Sequence, residues 1–425
     1  MSASTLIYEL PVEIWENIFD YLCKYPLVPH AQGVDALEDL ALFTRGKAFM
    51  AKLEPFSAAR KDLSLTCRYF RHILYLPRNR LTIISCTGGI VVPTWKTCAG
   101  WLPWEAERLE FYADRPLYYP IDGQSHGIAW PFSWLTESWD SLTSMVLPHN
   151  APFDPTKILS RAPNLRLLSC RLWEVRRESG KTYPLLDHPQ LRRLTHLSLS
   201  LDNGQLNMPL PKVTLESLKV LHLDFQGIPS DSVRTTIQSE FIPWTFPTLR
   251  TLSLDGRIKV GMYNDIKPFF ERHKSVVLNL FNNLYSSTRT KILFSVLYHF
   301  DRLEWYGVRA ISTLDEYNIF SCLERDLAQQ GPSTLLLIGL CEPWVMFKRP
   351  SRFSAASAHM AGSPHRIMRV MLDLPWPAID QALNALRGNS KRKIMTFLVG
   401  LQGLGFTIVD RLGVEAPPGL IQLHA

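Results

Sequence analysis

Leu194-Thr195-His196-Leu197-Ser198-Leu199, Leu218-Lys219-Val220-Leu221-His222-Leu223 and Leu249-Arg250-Thr251-Leu252-Ser253-Leu254 share one spacing, with leucine at the first, fourth and sixth positions. The alternation at the end of each reads as a strand, because successive side chains of a strand point to opposite faces. The spacing recurs at Leu142/Met145/Leu147 and Leu165/Leu168/Cys170, and more weakly at Ser275/Leu278/Leu280 and Phe300/Leu303/Trp305. Starting points lie 23, 29, 24, 31, 26 and 25 residues apart. A short strand with its return segment cannot bury its apolar row alone, so the spacing predicts units stacked on one another.

The period is close to the roughly 20 to 29 residues of leucine-rich repeats, though uneven. Segments between the strands, such as 155–161 and 230–241, fit a helix or turn, and Pro163 and Pro247 stand just before the next strand. In such a strand the leucines point inward and the alternate residues point to an open concave face. That face is expected to carry His196, Ser198, Ser200, His222, Asp224, Thr251, Ser253, Asp255, Asn279, Glu304 and Tyr306. It reads either as a hydrated sheet surface or as a protein-recognition surface. Residues 80–140, with Leu109-Glu110-Phe111 and Trp95, Trp101, Trp104, Trp130, Trp134 and Trp139, read as degenerate first turns and a cap. Large aromatics there serve burial first, with an aromatic ligand groove as the alternative. After the polar stretch 348–366, residues 371–409 read as a strand, a helix at about 377–387 and a final apolar element, together a C-terminal cap.

At the other end, Leu10, Ile14, Ile18 and Leu22 fall every fourth residue, with Trp15 and Phe19 one step round, which makes one apolar stripe on a helix. Pro11 suits its first turn, where its missing N–H would have no intrahelical partner. Glu13 and Glu16 sit near the positive end of the helix dipole. A second helix is predicted over 63–74, from Leu65, Tyr69, Phe70, Ile73 and Leu74, with Pro77 ending it.

Leu10-Pro11-x-Glu13-Ile14-x-x-x-Ile18-x-x-x-Leu22, followed by Leu63-Ser64-Leu65-Thr66-Cys67-Arg68-Tyr69-Phe70-Arg71, resembles the F-box in the style common in fungal proteins. The match covers roughly residues 6–76. In that family a small helical bundle docks on a Skp-type adaptor, which links it to a cullin ubiquitin ligase. The resemblance implies that Leu10, Pro11, Ile14, Ile18, Leu22, Leu63, Leu65, Cys67 and Phe70 are divided between adaptor contact and the bundle's own core. This chain departs from a compact F-box by a long connection at 26–60, part of which, 35–50, is itself helical in pattern.

The expected fold is α/β: an F-box-like helical segment at 1–80, an irregular leucine-rich-repeat solenoid with parallel strands and caps at 81–410, and a tail at 411–425. An F-box before such repeats resembles the substrate-receptor subunits of Skp-cullin-F-box ligases. The expected function is to hold an unknown target protein near a ubiquitin-charged enzyme, raising the effective concentration of its lysines. The alternative is a non-catalytic repeat scaffold that binds a protein partner without any ligase role.

Enzyme chemistry is not expected. Gly123-Gln124-Ser125-His126-Gly127 has the G-x-S-x-G spacing of a nucleophile elbow, but Pro120 and Pro131 deny it the required strand-turn-helix setting. There is no HExxH, no Cys/His set at zinc spacing and no glycine-rich phosphate loop, so neither metal nor cofactor is expected. The net charge of +7 concentrates at 45–80, where nine bases face Glu54 and Asp62. No nucleic-acid module accompanies that run or the cluster Lys348, Arg349 and Arg352, so it reads as a solvated face before it reads as a phosphate-binding one. The seven cysteines include no CxxC pair and are too sparse for a disulfide framework. The first residues lack a basic n-region, and the longest uncharged stretch, 394–409, is short of the roughly 20 residues of a spanning helix. The expected setting is intracellular, cytoplasmic or nuclear.

Overall fold

The leucine spacing fixes the strands because it sets a phase that each strand shares with its neighbour. The computed structural model describes residues 11, 13–15, 18, 62–63, 65–74, 81–86, 106–113, 136–147, 155–172, 175–177, 180–202, 210–226, 242–258, 260–285, 296, 299–309, 334–338, 369–372, 376–385, 389–403, 406–410 and 414–417. The chain is mixed α/β, built on large parallel β-sheet, and divides into two units. One comprises Met1–Gln205 with Thr214–His222, the other Leu206–Val213 with Leu223–Ala425.

The first unit holds helix α1 (Arg68–Leu74), β1 (Leu81–Cys86), β2 (Arg108–Ala113), β3 (Ser144–Val146), the short helix α2 (Thr156–Leu159) and β4 (Leu167–Arg171). A hairpin of β5 (Val175–Arg177) and β6 (Gly180–Thr182) follows, then a 3-10 helix, Pro189–Arg193, and β7 (His196–Asp202). β1, β2, β3, β4 and β7 lie side by side, all parallel. Leu109 pairs with Met145, Met145 with Leu168, and Leu168 with Leu197, so the fourth-position residues form one row, entirely buried. The row begins one strand earlier than the strong spacing does, at Leu109. Trp139 is fully buried beside it in sequence, in the packing role expected of these aromatics.

β8 (Val213–Thr214) precedes β9 (Val220–Gln226), which begins in the first unit and ends in the second. The second unit continues with β10 (Trp244–Thr245), β11 (Thr251–Arg257), helix α3 (Val260–His273), β12 (Asn279–Tyr285), β13 (Trp305–Arg309), β14 (Thr334–Ile338) and β15 (Arg369–Leu372). Helices α4 (Trp376–Ala385) and α5 (Asn389–Gly403) and strand β16 (Thr407–Val409) complete it. From β11 through β12 to β16 each strand pairs parallel with the next, so the region read from sequence as a cap continues the ladder.

The two weak units carry a correction. Leu252 pairs with Leu280, and Leu280 with Tyr306. The equivalents of Leu249/Leu252/Leu254 are therefore Val277/Leu280/Asn282 and Leu303/Tyr306, each two or more residues later than the spacing suggested. Val277, Asn282 and Tyr306 are buried, whereas Ser275 is exposed and Leu278 half-buried. Asn282 hides the pattern because it fills a leucine position; its Oδ1 accepts the Leu284 N–H at 3.3 Å, which satisfies a polar group inside the core.

α3 presents Tyr263, Ile266, Phe269, Phe270 and His273, one helical face, to the core. Phe246 meets Phe269 edge-on with ring centres 6.2 Å apart. Gly256 has φ of +96°, and a Cβ there would lie 2.2 Å from the Phe225 carbonyl oxygen, so only glycine fits. α4 and α5 bury Trp376, Ile379 and Leu383, and Ile394, Met395, Leu398 and Leu401. Asp410 joins them to the last turn: its carboxylate accepts the N–H groups of Trp376 at 3.1 Å and Val414 at 2.9 Å.

Candidate functional site

Two places were marked by the sequence, the N-terminal helices and the inner face of the strands. At the first, the N–H groups of Ile14 and Trp15 donate to the Pro11 carbonyl at 3.0 and 3.3 Å, so Pro11 opens the helix as expected. The Cys67 thiol accepts the Phe70 N–H at 3.4 Å, in the position of an N-cap to α1. The Trp15 and Phe70 rings lie 4.7 Å apart, a tilted aromatic pair that holds the two helical pieces together.

That pairing sorts the candidate adaptor residues. Phe70 is 5% exposed and belongs to the interior, and Cys67 is committed to capping. Ile14 at 42% and Leu65 at 66% are exposed, Pro11 is exposed, and Ile18 and Leu63 are half-buried. Leu10 and Leu22 lie outside the described residues. Trp15, not singled out for a role from sequence, is the residue that closes the pair; its place one step round the stripe from Ile14 was the signal.

The inner face departs from expectation. Row by row in the first unit it carries Arg108, Ser144, Leu167 and His196, then Glu110, Val146, Ser169 and Ser198, with Ser200 beyond. All of these are buried, Ser169 and Ser198 to 0% exposure. An open, hydrated surface at His196, Ser198 and Ser200 is thereby corrected, and so is one at Thr251 and Ser253 in the second unit, which are buried as well. Parallel strands are commonly covered on both faces, and alternating small polar residues do not distinguish a covered face from an open one. Val146, Leu167 and Val220 make an apolar cluster. Arg108 and Glu110 form an ion pair at 3.3 Å with both side chains buried. Burial lowers the Arg108 pKa, opposed by the charge and hydrogen bond of Glu110. Ser198 Oγ lies 2.9 Å from His222 Nδ1, a hydroxyl–imidazole pair whose serine is inaccessible.

In the second unit Asp224, Asp255 and Asn279 are half-buried on the inner face. The Asn279 amide donates to Thr251 Oγ1 at 3.2 Å, and Asp255 Oδ1 accepts the Gly256 N–H at 2.7 Å. Glu304 is exposed at the strand's entrance. Tyr306 is corrected outright: paired with Leu280, it lies on the leucine side, 4% exposed. The inner-face residue of that strand is Trp305, in register with Asn279 and half-buried, and a three-residue shift in phase, which being odd exchanges the two faces, is what concealed it.

A polar chain runs beneath α3. Glu271 Oε1 lies 2.5 Å from His299 Nδ1, and His299 Nε2 lies 2.6 Å from the Tyr263 hydroxyl. A carboxylate, an imidazole and a phenol in line are the parts of a proton relay. Here Tyr263 and His299 are buried and the imidazole stacks on Phe270, so the chain acts as a staple between α3 and the lead-in to β13. Lys274 and Asp301, 3.6 Å apart, reinforce it.

Ser125, the aromatics Trp95, Trp101, Trp104, Trp130 and Trp134, and most of the basic run lie outside the described residues. Among the described residues no group of three or more His, Cys, Asp or Glu side chains could hold a metal ion, and no helix is long and apolar enough to cross a membrane. No family model, no curated protein and no solved structure matches this chain.

Proposed function

We propose that the chain is the substrate-recognition subunit of a Skp-cullin-F-box type ubiquitin ligase, binding the adaptor through its N-terminal helices and a target protein through a leucine-rich-repeat solenoid. One observation carries the reading: Ile14 and Leu65 are exposed while Trp15 and Phe70 pack on each other, and large apolar side chains left in water beside a small helical pair suit helix-in-groove docking. The parallel ladder supports the repeat part. No residue of the chain performs bond-making chemistry in this scheme; it supplies proximity.

The long connection at 26–60 favours a second reading, a non-catalytic repeat scaffold that binds a protein partner with no ligase role. A pull-down with a purified Skp-type adaptor separates the two. The intact chain is expected to retain the adaptor, and a folded Leu10→Ala, Pro11→Ala, Ile14→Asp variant to lose it. Failure of the intact chain to retain the adaptor would leave only the scaffold.

A further inference from the structure

With the first unit's inner face buried, a partner reaching that unit from solvent meets the rim where its strands begin. The Arg166 N–H donates to Thr143 O at 2.8 Å, Thr195 N–H to Arg166 O at 2.9 Å, and Lys219 N–H to Thr195 O at 2.9 Å. Residues 143, 166, 195 and 219 are thus successive rungs, and Arg166 and Lys219 stand two strand spacings apart, roughly 10 Å. The 3-10 helix delivers Arg192 and Arg193 to the same rim, where Arg166 Nη1 donates to the Arg193 carbonyl at 3.1 Å.

All four cationic side chains are exposed. Among the described residues no carboxylate pairs with Arg192, Arg193 or Lys219. The acidic groups near them in the chain are Asp187 and Glu216, both exposed, and half-buried Glu107 on the preceding rung; Glu107 and Glu216 have partners of their own. Like charges gathered on one rim and tied up in no ion pair attract an anionic partner and steer its approach.

We infer that this rim, formed by Arg166, Arg192, Arg193 and Lys219, is a docking surface for an acidic segment of a protein partner. Alternate side chains of an extended peptide lie about 6.7 Å apart, so two or three carboxylates or phosphoryl groups span the four cations. No exposed aromatic interleaves the rim among the described residues, so it lacks the stacking platform that single-stranded nucleic acids use. The inference rests on the reading that these repeats receive a protein target, and it is independent of adaptor binding.

The test is fluorescence anisotropy of a labelled polyglutamate peptide titrated with the full chain. Arg192→Glu with Arg193→Glu is expected to weaken binding about tenfold or more, whereas Lys267→Glu with Arg302→Glu, the same charge change at exposed sites of the second unit, should alter it by less than about twofold. Arg192→Gln with Arg193→Gln, which adds no negative charge, should give a smaller loss in the same direction. Equal losses from both Glu pairs would reduce the effect to net charge and overturn the inference. So would absence of binding by the intact chain, or tighter binding of single-stranded DNA lost through the same rim variants. Adaptor retention by the same proteins reports separately on the ligase reading.

Discussion

His273 shows how one buried side chain sets a pH dependence. Its Nδ1–H donates to the Phe269 carbonyl at 2.7 Å and its Nε2 accepts the Phe246 N–H at 2.9 Å, an arrangement that only the neutral ring can make. Burial first, then the nearby Arg272 charge, push its pKa down to about 4, against the partial support of the Phe269 carbonyl. Between the unfolded value near 6.5 and that figure the unfolded chain binds more protons, so stability is full above about pH 6.5 and falls as pH drops toward 4, by roughly 3 kcal/mol. Denaturant titrations at pH 7 and pH 4.5 should show that loss, and His273→Phe should start less stable, with the Phe246 N–H orphaned, but lose less between the two pH values. The Arg108–Glu110 pair makes a second test at this scale. Glu110→Ala strands a buried guanidinium and should cost about 3–5 kcal/mol, while Arg108→Met with Glu110→Leu should cost much less, because an apolar pair leaves nothing uncompensated. Urea titrations of the two variants beside the unaltered chain read both.

At the scale of elements, the second unit's last segment depends on a single carboxylate. Asp410 caps the start of α4 and holds the Val414 turn, while the Trp376 indole N–H donates to the Val414 carbonyl at 2.8 Å. Asp410→Ala should destabilise the segment by about 1–3 kcal/mol through two lost acceptors, seen as faster hydrogen exchange in α4 before any change in the ladder of β11 to β13. Elements were legible in sequence wherever leucine held all three positions of a unit. Ser275, Leu278 and Phe300 misplaced two units because Asn282 and Tyr306 occupy leucine positions, and an amide that finds a backbone partner, as Asn282 does, leaves no trace in a hydrophobic pattern. Burial of Ser169 and Ser198 was equally unreadable, since alternation reports which face a residue is on and not what covers it.

Across the whole molecule, the mixed α/β class and its parallel strands were legible where the details were not. An N-terminal helical pair and a long parallel ladder follow from spacing alone, and Pro11, Ile14 and Phe70 sit as helix opener, exposed apolar residue and interior ring. The division of candidate residues between interior and surface needed the Trp15–Phe70 contact, which joins positions far apart in sequence and so escapes any local pattern. The central claim, a proposal, is that the exposed side chains of Ile14 and Leu65 dock an adaptor. Isothermal titration of a purified Skp-type adaptor into the full chain, compared with Ile14→Asp and Leu65→Asp variants of unchanged thermal stability, tests it most directly. The account predicts saturable binding by the intact chain, weakened by about 2 kcal/mol or more in each variant, the loss typical of a central interface residue; no heat of binding from the intact chain, or equal affinity in all three, would contradict it.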